Sequence, residues 1–301
     1  MSLDMEYDFE EAIKKIDIFS QEDFNKFKQY TRNLDKSKCV PKDLTDKQLL
    51  LFYNACYGDI EKAKVCIEKY YLHRKNSPEL FSDRNLDSEE MKQVSEVVEY
   101  FLMPEKSVDG YDVIFHRFHI TDPSQYNYQN ACKLFCMCVD TYLAQRGPQP
   151  GYLFVYDMRG ARLGHVKRLR LSILRKVCSY VQEAIPVRMR GIHVLNTEPL
   201  MDKILPIIRP FMDRKMYNMF KFHNKNESLE SFYETAISRS ALPSDYGGTL
   251  PDTQTLHKEY LQQIRSLHSY FKAEEEQRAA AIWNKKRDER TDIVFNKLNI
   301  D

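Results

Sequence analysis

The first hundred residues repeat apolar side chains every three or four positions, which is the spacing of amphipathic helices. Across residues 8–34 this spacing predicts two helices separated near Ser20, whose hydroxyl is placed to cap the second helix ahead of Glu22 and Asp23. Further elements are predicted as helices at 45–56, 59–73 and 88–101 and a loop at 76–85. The pattern predicts an N-terminal all-helical module, which we assign to residues 1–88.

From residue 109 onward, short apolar runs alternate with longer amphipathic stretches. The runs predict strands at residues 110–119, 152–158, 191–196 and 220–223. The longer stretches predict helices at residues 125–146, 163–184, 200–215 and 228–238. Alternating strands and helices are typical of an α/β layer with a mainly parallel sheet, which we predict for residues 89–250.

A charged helix is predicted to follow at residues 255–290, within a C-terminal helical extension of residues 251–301. Its apolar side chains form a narrow seam of Leu256, Tyr260, Ile264, Leu267 and Phe271. If the chain serves as an adaptor, this helix is the surface that we expect a protein partner to bind.

Composition and charge narrow the class of protein. With 301 residues and 43% hydrophobic residues, the chain can bury a sizeable core in one domain plus an accessory, or in two domains. The net charge of +1 argues against a nucleic-acid-binding protein, so any basic function has to come from a local patch. Seven cysteines without framework spacing, an acidic N-terminus unlike a signal peptide and the lack of a long apolar run favour a reduced, cytoplasmic chain.

The residues that could support catalysis do not form a recognised motif. The turn after the second predicted strand contains Gly160 and Gly164, but the dinucleotide fingerprint needs three glycines, and no Walker loop is present. Asp157 and His165 flank that turn and could act as an acid–base pair, although such residues more often bind the local backbone. We therefore expect no catalytic residue, no cofactor and no enzymatic activity, with a small-molecule α/β enzyme as an alternative.

The cysteines and histidines do not have the arrangement of a metal site. Cys132, Cys136 and Cys138 lie on one predicted helix, but a metal ion would need further ligands from other elements. Buried free thiols are the more frequent role of such residues. His116 and His119 point to opposite faces of a strand and cannot chelate together. We expect no metal site.

The stretch EPLMDKILPIIRPFMDRKM, residues 198–216, has apolar doublets on one broad face and charged residues on the other. Pro206 and Pro210 each remove a backbone donor and loosen the helix. Two interpretations remain open. The helix is an ordinary core element, or it is a lid over an apolar cavity whose apolar face meets a membrane when the lid opens.

The stretch VRMRGIHVLN, residues 187–196, joins two arginines to a short apolar strand. In one continuous strand Arg188 and Arg190 would share a face with Ile192, which would place bare guanidinium groups in the core. We therefore expect the strand to begin at Gly191 and both arginines to lie on its rim.

Several of these stretches resemble the CRAL-TRIO, or Sec14-like, lipid-binding family. GYLFVYDMRG resembles the family's strand-and-turn motif, IPVRMRGIHVLNTEPLMDKILPIIRPFMDRK its basic strand followed by the gate helix, and LPSDYGGTLP its closing signature. Upstream, LTDKQLLLFYNACYGDIEKAKVCIEKYYLHRKNSPELF is similar to the family's helical N-terminal module. The motifs occur in the family's order and most resemble its α-tocopherol-transfer, retinaldehyde-binding and clavesin-like branch.

The resemblance implies a peripherally membrane-associated carrier that encloses one hydrophobic molecule under a mobile gate helix and transfers it between membranes. A tocopherol, a retinoid, a carotenoid or a similar isoprenoid is the implied ligand. The residues implied to line the ligand pocket are Tyr152, Phe154, Tyr156, Leu163, Val177, Val181, Ile185, Ile192, Val194, Ile204, Ile207, Ile208 and Phe211. A catalytically inert adaptor that binds proteins or phosphoinositide membranes is the alternative.

The branch also implies a basic site for a phosphoinositide headgroup, because guanidinium groups suit phosphate. The residues that the resemblance assigns to this site are Arg188, Arg190 and Lys215. The chain departs from the branch at Asn54, Cys56 and Met219, which replace basic residues. Phosphoinositide binding and a general contact with an anionic membrane therefore both remain open.

Overall fold

The computed structural model describes residues 3–197, 200–226 and 228–281. The N-terminal module is helical, as predicted, and consists of α1 (Phe9–Lys14), α2 (Gln21–Asn33), a 3₁₀ turn (Lys36–Lys38), α3 (Asp46–Ala55), α4 (Ile60–Asn76) and α5 (Pro78–Phe81). The Ser20 hydroxyl accepts a hydrogen bond from the Asp23 backbone N–H at 3.2 Å. The predicted N-cap of α2 is therefore confirmed.

Residues 88–101, predicted as one helix, form two elements: helix α6 (Glu89–Val97) and strand β1 (Val98–Leu102). The prediction is wrong because β1 pairs antiparallel with β2 (Asp112–Phe118), and its Val, Tyr and Phe side chains suit a sheet. The loop predicted at 76–85 is also wrong in part, because it contains α5, which begins with a proline at its first helical position.

The described strands form one sheet in which three of the four neighbouring pairs are parallel. After β1 and β2 come β3 (Tyr152–Asp157), β4 (Met189–Leu195) and β5 (Phe220–His223), and their order across the sheet follows the sequence. β2, β3, β4 and β5 run parallel, whereas β1 is antiparallel to β2. The predicted α/β domain with a mainly parallel sheet is confirmed.

The remaining elements of this domain are a 3₁₀ turn (Pro123–Gln125), α7 (Tyr128–Arg146), α8 (Leu163–Val166), α9 (Leu171–Glu183), α10 (Met201–Ile208), a 3₁₀ turn (Arg209–Phe211), α11 (Arg214–Tyr217), α12 (Glu230–Thr235) and 3₁₀ turns at Arg239–Ala241 and Ser244–Tyr246. Two helices predicted as continuous, at 163–184 and 200–215, are therefore divided. In the second, α10 continues through Pro206 but ends before Pro210, which lacks the N–H that a continuous helix needs. The Asp213 carboxylate then caps α11, where the helix begins again.

The C-terminal helix packs on the α/β domain. Helix α13 (Thr253–Ser266) is followed after Leu267 by helical residues 268–281, and the predicted part at 282–290 lies outside the described residues. The five residues of its apolar seam are buried, with α13 in contact with β1 and α7. The Tyr260 hydroxyl, for example, donates a hydrogen bond to a carbonyl of α7 at 2.7 Å. The chain itself covers the seam, so these five apolar side chains are not available to a protein partner, and the expected partner surface on this helix is limited to its other faces.

A buried cluster of charges joins three parts of the chain. Arg74 of α4 lies 2.6 Å from the Asp140 carboxylate of α7 and 3.2 Å from the Glu274 carboxylate of the C-terminal helix. Arg84 pairs with both carboxylates, and Arg278 pairs with Glu274 at 2.7 Å. Burial alone would raise the pKa of Glu274, but the three guanidinium groups outweigh burial and lower that pKa to about 2. These contacts fix the N-terminal module, the α/β domain and the C-terminal helix to one another.

Candidate ligand-binding site

An apolar cavity of about 280 Å³ lies between one face of the sheet and helices α7, α9 and α10. Because side chains alternate along a strand, Phe154 and Tyr156 of β3 face the cavity, whereas Leu153 and Val155 are buried on the other side of the sheet. Among the described residues, no Lys, Arg, Asp or Glu side chain lines it. Such an interior suits a neutral, largely apolar molecule and disfavours a charged one.

Eight of the thirteen residues implied to line the pocket lie on the wall of this cavity: Phe154, Tyr156, Val177, Val181, Ile192, Val194, Ile204 and Ile208. They come from β3, α9, β4 and α10. The structure thus brings four elements that are separate in the sequence together around one apolar cavity.

The other five residues lie outside the cavity wall: Tyr152, Leu163, Ile185, Ile207 and Phe211. The division of two predicted helices changes the direction in which their residues face. Leu163 of α8 is therefore exposed, and Phe211 lies in a 3₁₀ turn with the Arg175 guanidinium 5.6 Å from its ring. Tyr152 packs edge-on against Tyr142 of α7 at 5.1 Å.

The sequence pattern did not predict that β1, β2 and α7 contribute residues to the wall of the cavity. Tyr100 lies in the strand that was predicted as a helix, and its ring stacks on His116 with the centroids 4.2 Å apart. His116 and Phe118 both line the cavity, and their alternation in β2 was a usable signal. Cys132 and Phe135, three residues apart on α7, line the cavity as well.

The cysteines that face the cavity are protonated thiols. Burial raises the pKa of Cys132 to about 12 and that of Cys178 of α9 to about 11, so both side chains stay neutral at physiological pH. Within the described part of the chain, no group of three or more His, Cys, Asp or Glu side chains is arranged to hold a metal ion. These thiols therefore contribute small, neutral side chains to the wall.

Asp157 and His165 support the turn after β3 through separate hydrogen bonds. The Asp157 carboxylate accepts hydrogen bonds from the Asn196 amide at 2.7 Å and from the Tyr246 hydroxyl. Nδ1 of His165 accepts the Arg162 backbone N–H at 3.0 Å. In the described residues no hydrogen bond joins the Asp157 and His165 side chains, so their geometry is that of residues that hold a turn.

Arg188 is buried, which corrects its expected position on a solvated rim. β4 begins at Met189, two residues earlier than expected, and Arg188 is only 4% exposed. Its Nε donates a hydrogen bond to the Asn54 carbonyl at 2.6 Å, and its guanidinium lies 4.3 Å from the centre of the Tyr57 ring. These contacts replace the water that a bare guanidinium would need.

Arg190 is exposed, and a β-bulge explains why it does not share the cavity face with Ile192. Met189 pairs with Tyr152 and Gly191 pairs with the next residue of β3, so Arg190 is the extra residue of the bulge. Its Nη2 donates a hydrogen bond to a loop carbonyl at 3.0 Å. The bulge thus allows β4 to include Arg190 without placing its side chain on the cavity face, as regular alternation of side chains would have done.

A larger cleft of about 790 Å³, the charged cleft, lies between the N-terminal module, the end of α9 and residues 213–219. Its basic residues are Lys62, Arg188 and Lys215. Its acidic residues are Asp59, Glu61, Glu183 and Asp213. Cys56 and Met219, where the resemblance implied basic residues, line the cleft without a charge. The charged cleft therefore presents both signs of charge, not the basic surface that a polyphosphate group would need.

The gate segment, residues 200–216, covers one side of the cavity. Its residues on the cavity wall are Leu200, Met201, Ile204, Ile208, Met212 and Met216. Asp202, Lys203 and Arg209 are exposed on the opposite side. The Gln182 side chain of α9 holds the segment closed, because it donates to the Phe211 carbonyl at 3.0 Å and accepts the Asp213 N–H at 2.6 Å.

An α/β domain with a helical module before it and an apolar cavity closed by a short gate is the architecture of a small-molecule binding protein. A family model described as the CRAL/TRIO domain matches residues 97–248, just over half of the sequence. The chain belongs to the CRAL/TRIO family, whose members bind and transfer lipids. A second model, described as a Pinta-like UBA domain, matches residues 19–91.

The chain is similar to several known proteins. The human protein named alpha-tocopherol transfer protein-like is 28% identical over 213 residues, which cover 70% of this chain and 61% of that relative. Clavesin-1 of Xenopus laevis is 31% identical over 101 residues, or 34% of this chain and 30% of that protein. The crystal structure of Sfh5 aligns with a TM-score of 0.44 and 13% identity, covering 79% of this chain and 90% of that one. The chain thus spans less than two-thirds of the length of the curated relatives named here.

None of the described helices combines the length and the apolar character that crossing a bilayer requires.

Proposed function

We propose that the chain binds one hydrophobic small molecule in the apolar cavity and carries it between membranes. The proposed cargo is a tocopherol, a retinoid, a carotenoid or a similar isoprenoid. The observation that carries the proposal is the apolar cavity, whose wall in the described residues has no charged side chain. Transfer of apolar ligand surface out of water contributes about 25 cal/mol per Å² to such binding.

The size of the cavity favours a compact cargo. Its volume of about 280 Å³ lies just below the range of roughly 300–1,000 Å³ that is usual for small-molecule sites. A phospholipid with two acyl chains and a charged headgroup fits this space and this wall less well than a single isoprenoid does.

The gate segment supplies the proposed route of entry. Ile204 and Ile208 face the cavity, whereas Ile207 and Phe211 are half-buried outside its wall. Opening of the gate would expose both sets of apolar side chains to a membrane surface, where lipid can enter. We include in the proposal a cytoplasmic location with peripheral attachment to membranes.

A contact with an anionic membrane through Arg190 and Lys215 is part of the same proposal, because both side chains are exposed. Specific recognition of a phosphoinositide headgroup is less well supported, since the charged cleft also contains four carboxylates. We propose no enzymatic role, because Asp157 and His165 are engaged in holding a turn.

The proposal can be tested by incubating the purified chain with vesicles that contain tocopherol and retinol, re-isolating it, and identifying extracted lipid by mass spectrometry. The informative variant is Val177→Trp, which fills the cavity from α9. The matched control is Leu171→Trp, at an exposed position of the same helix. We expect bound lipid in the wild type and the control but not in Val177→Trp. Absence of lipid from all three folded proteins contradicts the carrier and favours the adaptor.

A further inference from the structure

Three polar aromatic side chains form a row across the cavity wall. In the register of the sheet, Tyr100 of β1 pairs with His116 of β2, and His116 pairs with Tyr156 of β3. The Tyr100 and His116 rings stack with the centroids 4.2 Å apart, and the Tyr156 ring meets His116 edge-on at 5.5 Å. All three line the cavity, together with Tyr126. One part of the cavity wall therefore carries a cluster of hydrogen-bonding groups, the polar row, which consists of Tyr100, His116, Tyr126 and Tyr156.

The hydrogen bond of His116 fixes which of its ring nitrogens carries the proton. Nδ1 lies 3.1 Å from the Glu99 carbonyl oxygen, and because a carbonyl only accepts, Nδ1 is the protonated nitrogen. Burial lowers the pKa of His116 to about 4, so the ring is neutral at physiological pH. Nε2 is consequently a hydrogen-bond acceptor, and it has no partner among the described residues.

The tyrosines of the polar row add groups that can donate. Burial raises the pKa of Tyr100, Tyr126 and Tyr156 well above the usual value of a phenol, so all three keep their protons. In the part of the chain that the structure describes, their hydroxyl groups make no hydrogen bond. The polar row thus holds an unpaired acceptor next to unpaired hydroxyl groups. His165 also lines the cavity, and its Nε2 is a buried polar atom without a partner among the described residues. A polar group without a partner favours a ligand that supplies one.

We propose that the polar row binds the hydroxyl group of a neutral isoprenoid alcohol or phenol. This inference rests on the proposed carrier function and specifies its ligand class. A hydroxyl can donate to Nε2 of His116 and at the same time accept from a tyrosine. An aldehyde, an ether or an ester accepts only and leaves Nε2 unpaired. A carboxylate also accepts only, and no cationic side chain of the described residues lines the cavity to neutralise it.

The inference can be tested with ligands that share one hydrocarbon and differ in the polar group. We suggest measuring the dissociation constants of retinol, retinyl methyl ether, retinal and retinoic acid, and of α-tocopherol and its methyl ether. In whichever series the protein binds, we expect the alcohol or phenol to bind at least about tenfold more tightly than the ether, aldehyde or acid. Those other ligands cannot donate a hydrogen bond and leave Nε2 of His116 unpaired. Equal affinity of the alcohol and the ether would contradict hydroxyl recognition by the polar row but would not contradict the proposed carrier function.

Variants of the row separate hydroxyl recognition from general packing. His116→Phe keeps an aromatic ring for the stack with Tyr100 and removes the acceptor. We expect it to bring the ratio of ether to alcohol dissociation constants close to one, with little change for the ether. The control His119→Phe lies outside the cavity wall and should keep the wild-type ratio. An unchanged ratio in His116→Phe overturns the inference.

Two further outcomes are informative. If His116→Phe does not fold, Tyr156→Phe removes one hydroxyl of the same row and is expected to reduce the preference for the alcohol. Failure of the wild-type protein to bind any member of either series contradicts the proposed carrier function, and the assignment of the polar row fails with it.

Discussion

Arg74 and Glu274 are 200 residues apart in the sequence, yet their side chains form an ion pair of 3.2 Å that is closed to solvent. The Arg74 side chain is fully buried, and that of Glu274 is 4% exposed. Charges in such a position are stable only when their partners are present, because water cannot replace them. The stability of the whole chain should therefore depend on this contact between its N-terminal module and its C-terminal helix.

Glu274→Gln is expected to lower the free energy of unfolding at pH 7 by about 3–5 kcal/mol, since it leaves buried guanidinium groups without a counter-charge. The pKa of Glu274 is about 2 in the folded chain against an ordinary value of 4.5. A lowered carboxyl pKa contributes stability above pH 4.5 that is lost as the pH falls toward 2, here about 3 kcal/mol. Denaturation by urea across this pH range should show a smaller decline in the variant.

The control for this experiment is Glu276→Gln, an exposed carboxylate two residues further along the same helix. It should change the free energy of unfolding by no more than about 0.5 kcal/mol. Equal stability of the two variants at pH 7 would show that the buried cluster does not hold the parts of the chain together.

The two adjacent isoleucines of the gate segment should have different roles. Ile208 lines the cavity, whereas Ile207 does not. Ile208→Asp places a carboxylate against the cargo, so we expect at least about tenfold weaker binding of a lipid, the effect of 1.4 kcal/mol. Ile207→Asp carries the same change of charge and volume and should retain the cargo but slow its transfer between vesicles. Retention of cargo by both variants would contradict the closure of the cavity by this segment.

Arg188 and Lys215 both line the charged cleft, but only Lys215 is exposed. Arg188→Ala removes a short hydrogen bond to the Asn54 carbonyl and should lower the free energy of unfolding by about 2 kcal/mol. Lys215→Ala should leave stability nearly unchanged and weaken binding to anionic vesicles about fivefold, the effect of one basic residue near a charged surface. Thermal unfolding and vesicle co-sedimentation measure the two effects separately, and the reverse pattern would refute this division of roles.

Much of the fold could be predicted from the periodicity of apolar side chains. The strands β3 and β5 were placed within a residue because their apolar runs are bounded by turn residues such as Gly151. β1 was missed because residues 88–101 were predicted as one amphipathic helix, and its pairing with β2 is a long-range contact that local spacing does not encode. The gate segment was predicted as one helix because the effect of Pro210 on its continuity was underestimated.

The candidate site was predictable where strand alternation decides which way a residue faces. Phe154, Tyr156, Ile192 and Val194 are on the cavity wall for this reason. The burial of Arg188 was not predictable, because it depends on a carbonyl of α3 and on the Tyr57 ring, which is far from it in the sequence. A joint metal site at His116 and His119 was excluded from the sequence, but the position of His116 on the cavity wall was not predicted, although its alternation with Phe118 in β2 indicates a shared face.

The gate segment is built from an eight-residue helix, a three-residue turn and a four-residue helix. Helices of this length have little stability of their own in water, so their order depends on what their apolar side chains touch. Loss of the cargo removes part of that contact from Ile204 and Ile208 while the rest of the domain keeps its core. Backbone amides of residues 201–217 should therefore exchange with deuterium faster in the empty protein than in the filled one. The rate of deuterium exchange in this segment therefore reports the fraction of the protein that contains cargo.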